Sequence, residues 1–100
     1  MQLEQGQVAV VTGGASGIGF ALAEQFAKRG LGVVIADLDE PGLADAERRL
    51  SEHGVGVLSV RVDVTDEEQI HDLARQTLER FGRVDVICNN AGTVGMCMPL

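Results

Sequence analysis

Val8-Ala9-Val10-Val11-Thr12-Gly13-Gly14-Ala15-Ser16-Gly17-Ile18-Gly19 runs from an unbroken β-favouring segment into glycines 13, 17 and 19. A helix-like apolar pattern follows at once. A buried strand, a glycine-rich turn and a helix N-terminus together form a seat for a dinucleotide pyrophosphate. The glycines allow a tight turn, close approach of backbone to phosphate, and close packing of helix on strand. A P-loop would need Gly-Lys-Ser/Thr after the turn, but Phe20 and Ala21 follow Gly19. A glycine-rich connection with no ligand is the plainer alternative. The strand before and the helix after disfavour it.

The same alternation continues along the chain. Ile18, Leu22 and Phe26, with Ala21 and Ala23, predict one apolar stripe on the first helix, ended by Gly30. Val33 to Ala36 reads as a second buried strand closed by Asp37. Pro41 suits the first turn of a helix whose stripe is Leu43, Ala46 and Leu50. Val57, Leu58, Val60 and Val62 give a third strand. Thr65 with Glu68 forms a capping box for a helix carrying Ile70, Leu73, Ala74, Leu78 and Phe81. Gly82 ends it, and Val84 to Cys88 is the fourth strand. Right-handed crossovers make this an α/β, doubly wound parallel sheet of order 3-2-1-4. Residues 1–100 are expected to be the N-terminal portion of one dinucleotide-binding domain. The sheet is expected to be truncated after strand 4, with the chain entering another helix at Pro99-Leu100.

Composition narrows the partners. The net charge of −7 argues against nucleic-acid and anionic-membrane partners, which select a basic face. No apolar run approaches the roughly 20 residues of a membrane span. Residues 1–6 lack the basic and then apolar pattern of a signal peptide. Two cysteines, Cys88 and Cys97, are too few for a disulfide framework and fit a reducing cytosol, hence a cytoplasmic location. Cys88 reads as a small core residue.

Three further constellations follow the glycine turn. Asp37 lies 18 residues after Gly19, at the end of strand 2. An acid there accepts hydrogen bonds from the adenosine ribose of NAD. It repels the 2′-phosphate of NADP by about 4 kcal/mol for like charges 4 Å apart at an effective dielectric of 20. Asp39 and Glu40 reinforce that field, and Ser16 supplies no cation, so NAD is favoured over NADP. The plain alternative is that Asp37 caps the next turn. Asp63-Val64 offers a carboxylate and an apolar side chain for adenine, or simply a turn and cap. Asn89-Asn90-Ala91-Gly92, at the end of strand 4, lets backbone approach a ligand, while an Asn amide there can tie strand ends together.

These features, in this order, resemble the short-chain dehydrogenase/reductase family of the compact, single-domain type, with a Rossmann-type fold. The likeness extends from Val8 to Pro99 and is carried by Thr-Gly-x-x-x-Gly-Ile-Gly at 12–19 with Asn-Asn-Ala-Gly at 89–92. The resemblance implies that Gly13, Ser16, Gly17, Ile18 and Gly19 hold pyrophosphate and that Asp37 binds the adenine ribose with Leu38 beside it. It implies that Asp63 and Val64 contact adenine, and that Asn90, Ala91 and Gly92 lie along the cofactor ribose. Thr12 and Asn89 would brace the turn and the sheet. The implied activity is hydride transfer between nicotinamide and a small-molecule alcohol or ketone. The full-length protein would be a homo-oligomer.

The resemblance also implies a catalytic tyrosine with a lysine four residues on. The chain has no tyrosine, and Lys28, its sole lysine, lies about 15 Å along the first helix from the turn. No catalytic residue and no metal site are therefore assigned, and the 100-residue chain is expected to be inactive by itself. His53 and His71 lack partners at metal or catalytic spacing. Met96, Cys97 and Met98 read as the start of an apolar substrate wall, with too few ligands for a metal site. A non-catalytic NAD(P)-binding regulator or sensor of the same fold is the alternative.

Overall fold

All five residues of β1 (Val8–Thr12) are buried, because strands pair on both of its edges and both faces of the sheet there are covered. It pairs in parallel with β2 (Gly32–Asp37) on one edge and β4 (Val86–Asn89) on the other, and β3 (Val57–Arg61) extends the sheet beyond β2. This computed structural model describes residues 3–90 and 96–99. The parallel order 3-2-1-4 matches the sequence reading.

Alternation along each strand divides the core in two. Ala9, Val11, Val33 and Ile35 face α1 (Gly17–Lys28) and α2 (Glu40–Ser51), where they meet Phe26, Leu43, Ala46 and Leu50. Val8, Val10, Val34 and Ala36 face the other way, toward Leu73 of α3 (Glu67–Phe81). The stripe read for α2 is the buried one. That of α1 is buried in part: Ala23 and Phe26 are buried with Gly19, Phe20 and Ala27, Leu22 is half-buried, Ala21 is exposed, and Ile18 is 72 % exposed. Gly19 and Phe20 turn inward, which sends Ile18 out over the strand ends.

The cap of α3 also differs from expectation. Asp66, not Thr65, is the N-cap, and its carboxylate accepts from the amides of Glu68 and Gln69. The Thr65 hydroxyl is engaged with Asp63 instead, at 2.6 Å. On α3 only Leu73 and Thr77 are buried; Ile70, Ala74 and Leu78 are exposed along an apolar groove of about 490 Å³ against Val10 and Ile87 of the sheet.

The largest correction lies beyond β4. Met96–Pro99 forms β5, antiparallel to β4, where the sequence reading had a chain entering a helix. An unpaired strand edge is a row of unmet donors and acceptors. Pairing with β5 meets those of β4, and Pro99 stands at the end of the register opposite Val86, on an edge strand where proline is tolerated. The register sets Cys97 opposite Cys88, and the two are joined as a disulfide rather than free thiols. Cys88 is fully buried, as a small core residue should be.

Asp85 fixes where β4 meets β1. Its carboxylate accepts from the Val8 amide at 2.8 Å and from the Arg83 guanidinium at 2.8 and 2.9 Å. Arg83 chiefly holds the carboxyl below the usual carboxylate range; partial burial opposes this, and the Val8 amide adds to it. A lowered native pKa means stability that is present above the unfolded value of about 4 and lost as pH falls through the native value. Asp85→Ala is expected to cost about 1–3 kcal/mol at neutral pH, by leaving the Val8 amide unpaired. In denaturant unfolding that gap should close progressively below about pH 4. A gap constant down to the most acid conditions would contradict it.

Candidate cofactor site

The carboxyl ends of β1, β2, β3 and β4 open on one edge of the sheet, and those sequence-predicted residues that the structure describes lie at these ends. The turn after β1 is fastened to the end of β2. The amides of Gly13 and Gly14 donate to the Ala36 carbonyl at 2.7 and 3.3 Å. The next amide, Ala15, donates to the Asp37 carboxylate at 3.1 Å. Gly13 and Gly17 adopt φ of 67° and 62°, which a side chain rarely tolerates. A Cβ at Gly19 would overlap the Gly13 carbonyl oxygen and come within 3.0 Å of the Asn90 side-chain Nδ2. The glycine spacing therefore lets the turn lie directly on the start of α1.

Helix α1 differs from its neighbours at its N-terminus. Asp39 caps α2 through the Gly42 amide and Asp66 caps α3, with Glu40 and with Glu67 and Glu68 in their first turns. Ser16 caps α1 without a side-chain hydrogen bond, and its first turn holds no acid. Ser16, Gly17 and Ile18 are all exposed. The positive end of the helix dipole and its open amides thus meet solvent with no carboxylate of their own.

Beside the turn lies a cavity of about 270 Å³ lined by Gly13, Ala36, Asp37, Leu38, Val62, Val64 and Asn90. Leu38 and Val64, 53 % and 39 % exposed, are apolar side chains left uncovered at its margin. Asp37 spends most of its carboxylate on backbone: Oδ2 accepts from Ala15, and Oδ1 accepts from Leu38 at 2.7 Å and Asp39 at 3.2 Å. With about four lone-pair positions per carboxylate, one acceptor position remains, on Oδ2. The turn-capping alternative is thus part of what Asp37 does.

Asp63 does not line that cavity. Its carboxylate accepts from the Thr65 hydroxyl and from the Thr65 amide at 2.9 Å, and these bonds lower its pKa. Thr12 closes the site from below. Its hydroxyl donates to Asn89 Oδ1 at 3.0 Å and accepts from the Asn90 amide at 3.0 Å, so the end of β1 is tied to the end of β4. Ala91 and Gly92 lie outside the described residues.

The sequence profile described as short chain dehydrogenase matches residues 7–99. The chain belongs to this family. It is 46 % identical over 92 residues to an uncharacterized oxidoreductase of Thermotoga maritima, covering 92 % of this chain and 36 % of the relative. It is 48 % identical over 97 residues to 1-deoxy-11-beta-hydroxypentalenate dehydrogenase of Streptomyces avermitilis, covering 96 % and 36 %. Among solved structures, a short-chain dehydrogenase/reductase of Burkholderia phymatum in complex with NAD superposes with a TM-score of 0.83 at 42 % identity, over 87 % of this chain and 31 % of that one. L-Sorbose reductase of Gluconobacter frateurii, complexed with NADPH and L-sorbose, gives 0.87 at 43 %, over 93 % and 36 %. The chain thus spans about a third of the length of these family members.

Two features escaped the sequence reading of this short-chain dehydrogenase chain. One is the bond between Asp37 and Ala15, whose 22-residue separation leaves no local pattern. The other is the pairing of Leu38 with Val64 beside one cavity, which the order of β2 and β3 brings about.

Gly19→Ala is expected to lower stability by about 1–3 kcal/mol, since the obstructing atom is backbone. Ser16→Ala, which removes no cap bond, should change it by less than about 0.5 kcal/mol. Urea unfolding of both variants checks this; equal losses would contradict the packing described for the turn.

Proposed function

We propose that these residues form the dinucleotide-holding part of an NAD(P)-dependent oxidoreductase acting on a small alcohol or ketone, with NAD favoured over NADP. The observation that carries the reading is the α1 N-terminus, free of its own carboxylates, beside a cavity bordered by Asp37. The residues fit the cofactor: Gly19 has no room for a Cβ, so backbone approaches backbone where a pyrophosphate would need it. Bound nicotinamide supplies the hydride donor or acceptor.

Gly13, Ser16, Gly17, Ile18 and Gly19 would present amides to the pyrophosphate. Asp37 would accept a ribose hydroxyl at its remaining Oδ2 position, with Leu38 and Val64 on the faces of the adenine and Asp63 near its edge. Asn90, Ala91 and Gly92 would run along the cofactor ribose. A 2′-phosphate at Asp37 would meet a carboxylate flanked by Asp39 and Glu40, with no cation at Ser16 to offset them.

The chain carries no tyrosine, and Lys28 lies in the last turn of α1, paired with Glu24 at 4.0 Å. The 100 residues therefore hold cofactor and do not transfer hydride by themselves. Substrate contacts and homo-oligomer contacts are assigned to the full-length protein. No described helix is long and apolar enough to cross a membrane.

Titration calorimetry should give tighter binding of NAD than of NADP, by about tenfold or more if the 2′-phosphate costs at least 1.4 kcal/mol. Asp37→Asn, which keeps an acceptor but drops the charge, should narrow that ratio. Equal affinities in the unaltered chain would remove the NAD preference, and no binding of either would remove the function. A full-length protein that binds NAD but oxidises no alcohol in a broad panel would favour the regulator instead.

A further inference from the structure

The turn after β1 is held by three successive amides. Those of Gly13 and Gly14 rest on the Ala36 carbonyl, a backbone acceptor that substitution does not remove. That of Ala15 rests on a side chain, the Asp37 carboxylate. Ala15 immediately precedes Ser16, the N-cap of α1. The carboxylate is itself oriented, since its other oxygen accepts from Leu38 and Asp39. Ala15 also lies close to the start of α2, where a Cβ added at Gly42 would come within 3.2 Å of the Ala15 side chain.

We propose that Asp37 is a positioning residue for the phosphate turn, acting through Ala15 and separately from any contact with ribose. The inference rests on the dinucleotide reading above. Gly13 and Gly14 are secured by backbone, but Ala15, the residue before the N-cap, is secured by Asp37. Losing that acceptor leaves a part-buried amide unpaired and frees the point where turn becomes helix. One carboxylate would therefore serve both ends of the site: its remaining lone pair would accept from the sugar, and its Ala15 bond holds the residue that leads into α1.

Anchoring and charge predict opposite signs, which makes the proposal testable with inorganic pyrophosphate, a probe that has no ribose. Removing a negative charge near an anion site tightens anion binding. Removing the anchor weakens it. Asp37→Ala is expected to bind pyrophosphate about tenfold more weakly, as loss of one charge-assisted hydrogen bond implies. Glu40→Gln, which removes a nearby charge and leaves the Asp37 bond to Ala15 intact, should bind as tightly as the unaltered chain, or more tightly. Pyrophosphate binding by Asp37→Ala at or above the unaltered level overturns the proposal.

Amide hydrogen exchange without ligand supplies the second readout. Ala15 should be protected in the unaltered chain and in Glu40→Gln, and exposed in Asp37→Ala. Equal protection in all three overturns the anchor. That exchange pattern, in an unaltered chain that binds no pyrophosphate, supports the anchor and overturns the dinucleotide reading instead.

Discussion

Ala36 and Asp37, the last two residues of β2, accept hydrogen bonds from the amides of Gly13, Gly14 and Ala15. Everything at the site follows from that fastening. It bends the chain out of β1, sets Gly19 of α1 against the Gly13 carbonyl, and leaves the next amides along facing solvent. It depends in turn on β1 and β2 lying side by side in register, with Thr12 opposite Ala36. The buried valines and Ile35 that hold these strands together therefore act on the site at one remove.

Electrostatics divides the three helices by role. The chain has 15 acidic residues against 8 lysines and arginines, so acid at a helix start is the common condition. Helices α2 and α3 follow it, capped by Asp39 and Asp66. Helix α1 departs from it, and it is the helix whose start adjoins the glycine turn. An anion arriving there displaces no internal carboxylate.

How much of this was legible depended on how local the cause was. The parallel order and the stripe of Leu43, Ala46 and Leu50 were readable because buried strands and amphipathic helices write their periods directly into sequence. Ile18 misled because it fits the helical period of Leu22 and Phe26, whereas its burial depends on what lies above the strand ends. Thr65 and Glu68 matched a capping box, but Asp63 had already engaged the Thr65 hydroxyl. Met96 to Pro99 shows no strand alternation; its extended form comes from pairing with β4. The members of the glycine turn were readable one by one, while the hydrogen bond of Ala15 to Asp37 belongs to the fold alone.

Thr12 has an entropic meaning as well as a static one. Its hydroxyl joins residues 77 and 78 positions away, whereas β2 reaches β1 across a single helix. Closing a longer loop costs more chain entropy. The half of the crevice made by β1 and β2 closes the shorter loop, and the wall contributed by Asn89 and Asn90 closes the longer one. A ligand that touched both walls would offset part of that larger entropic cost by binding only the chain in which the wall is closed.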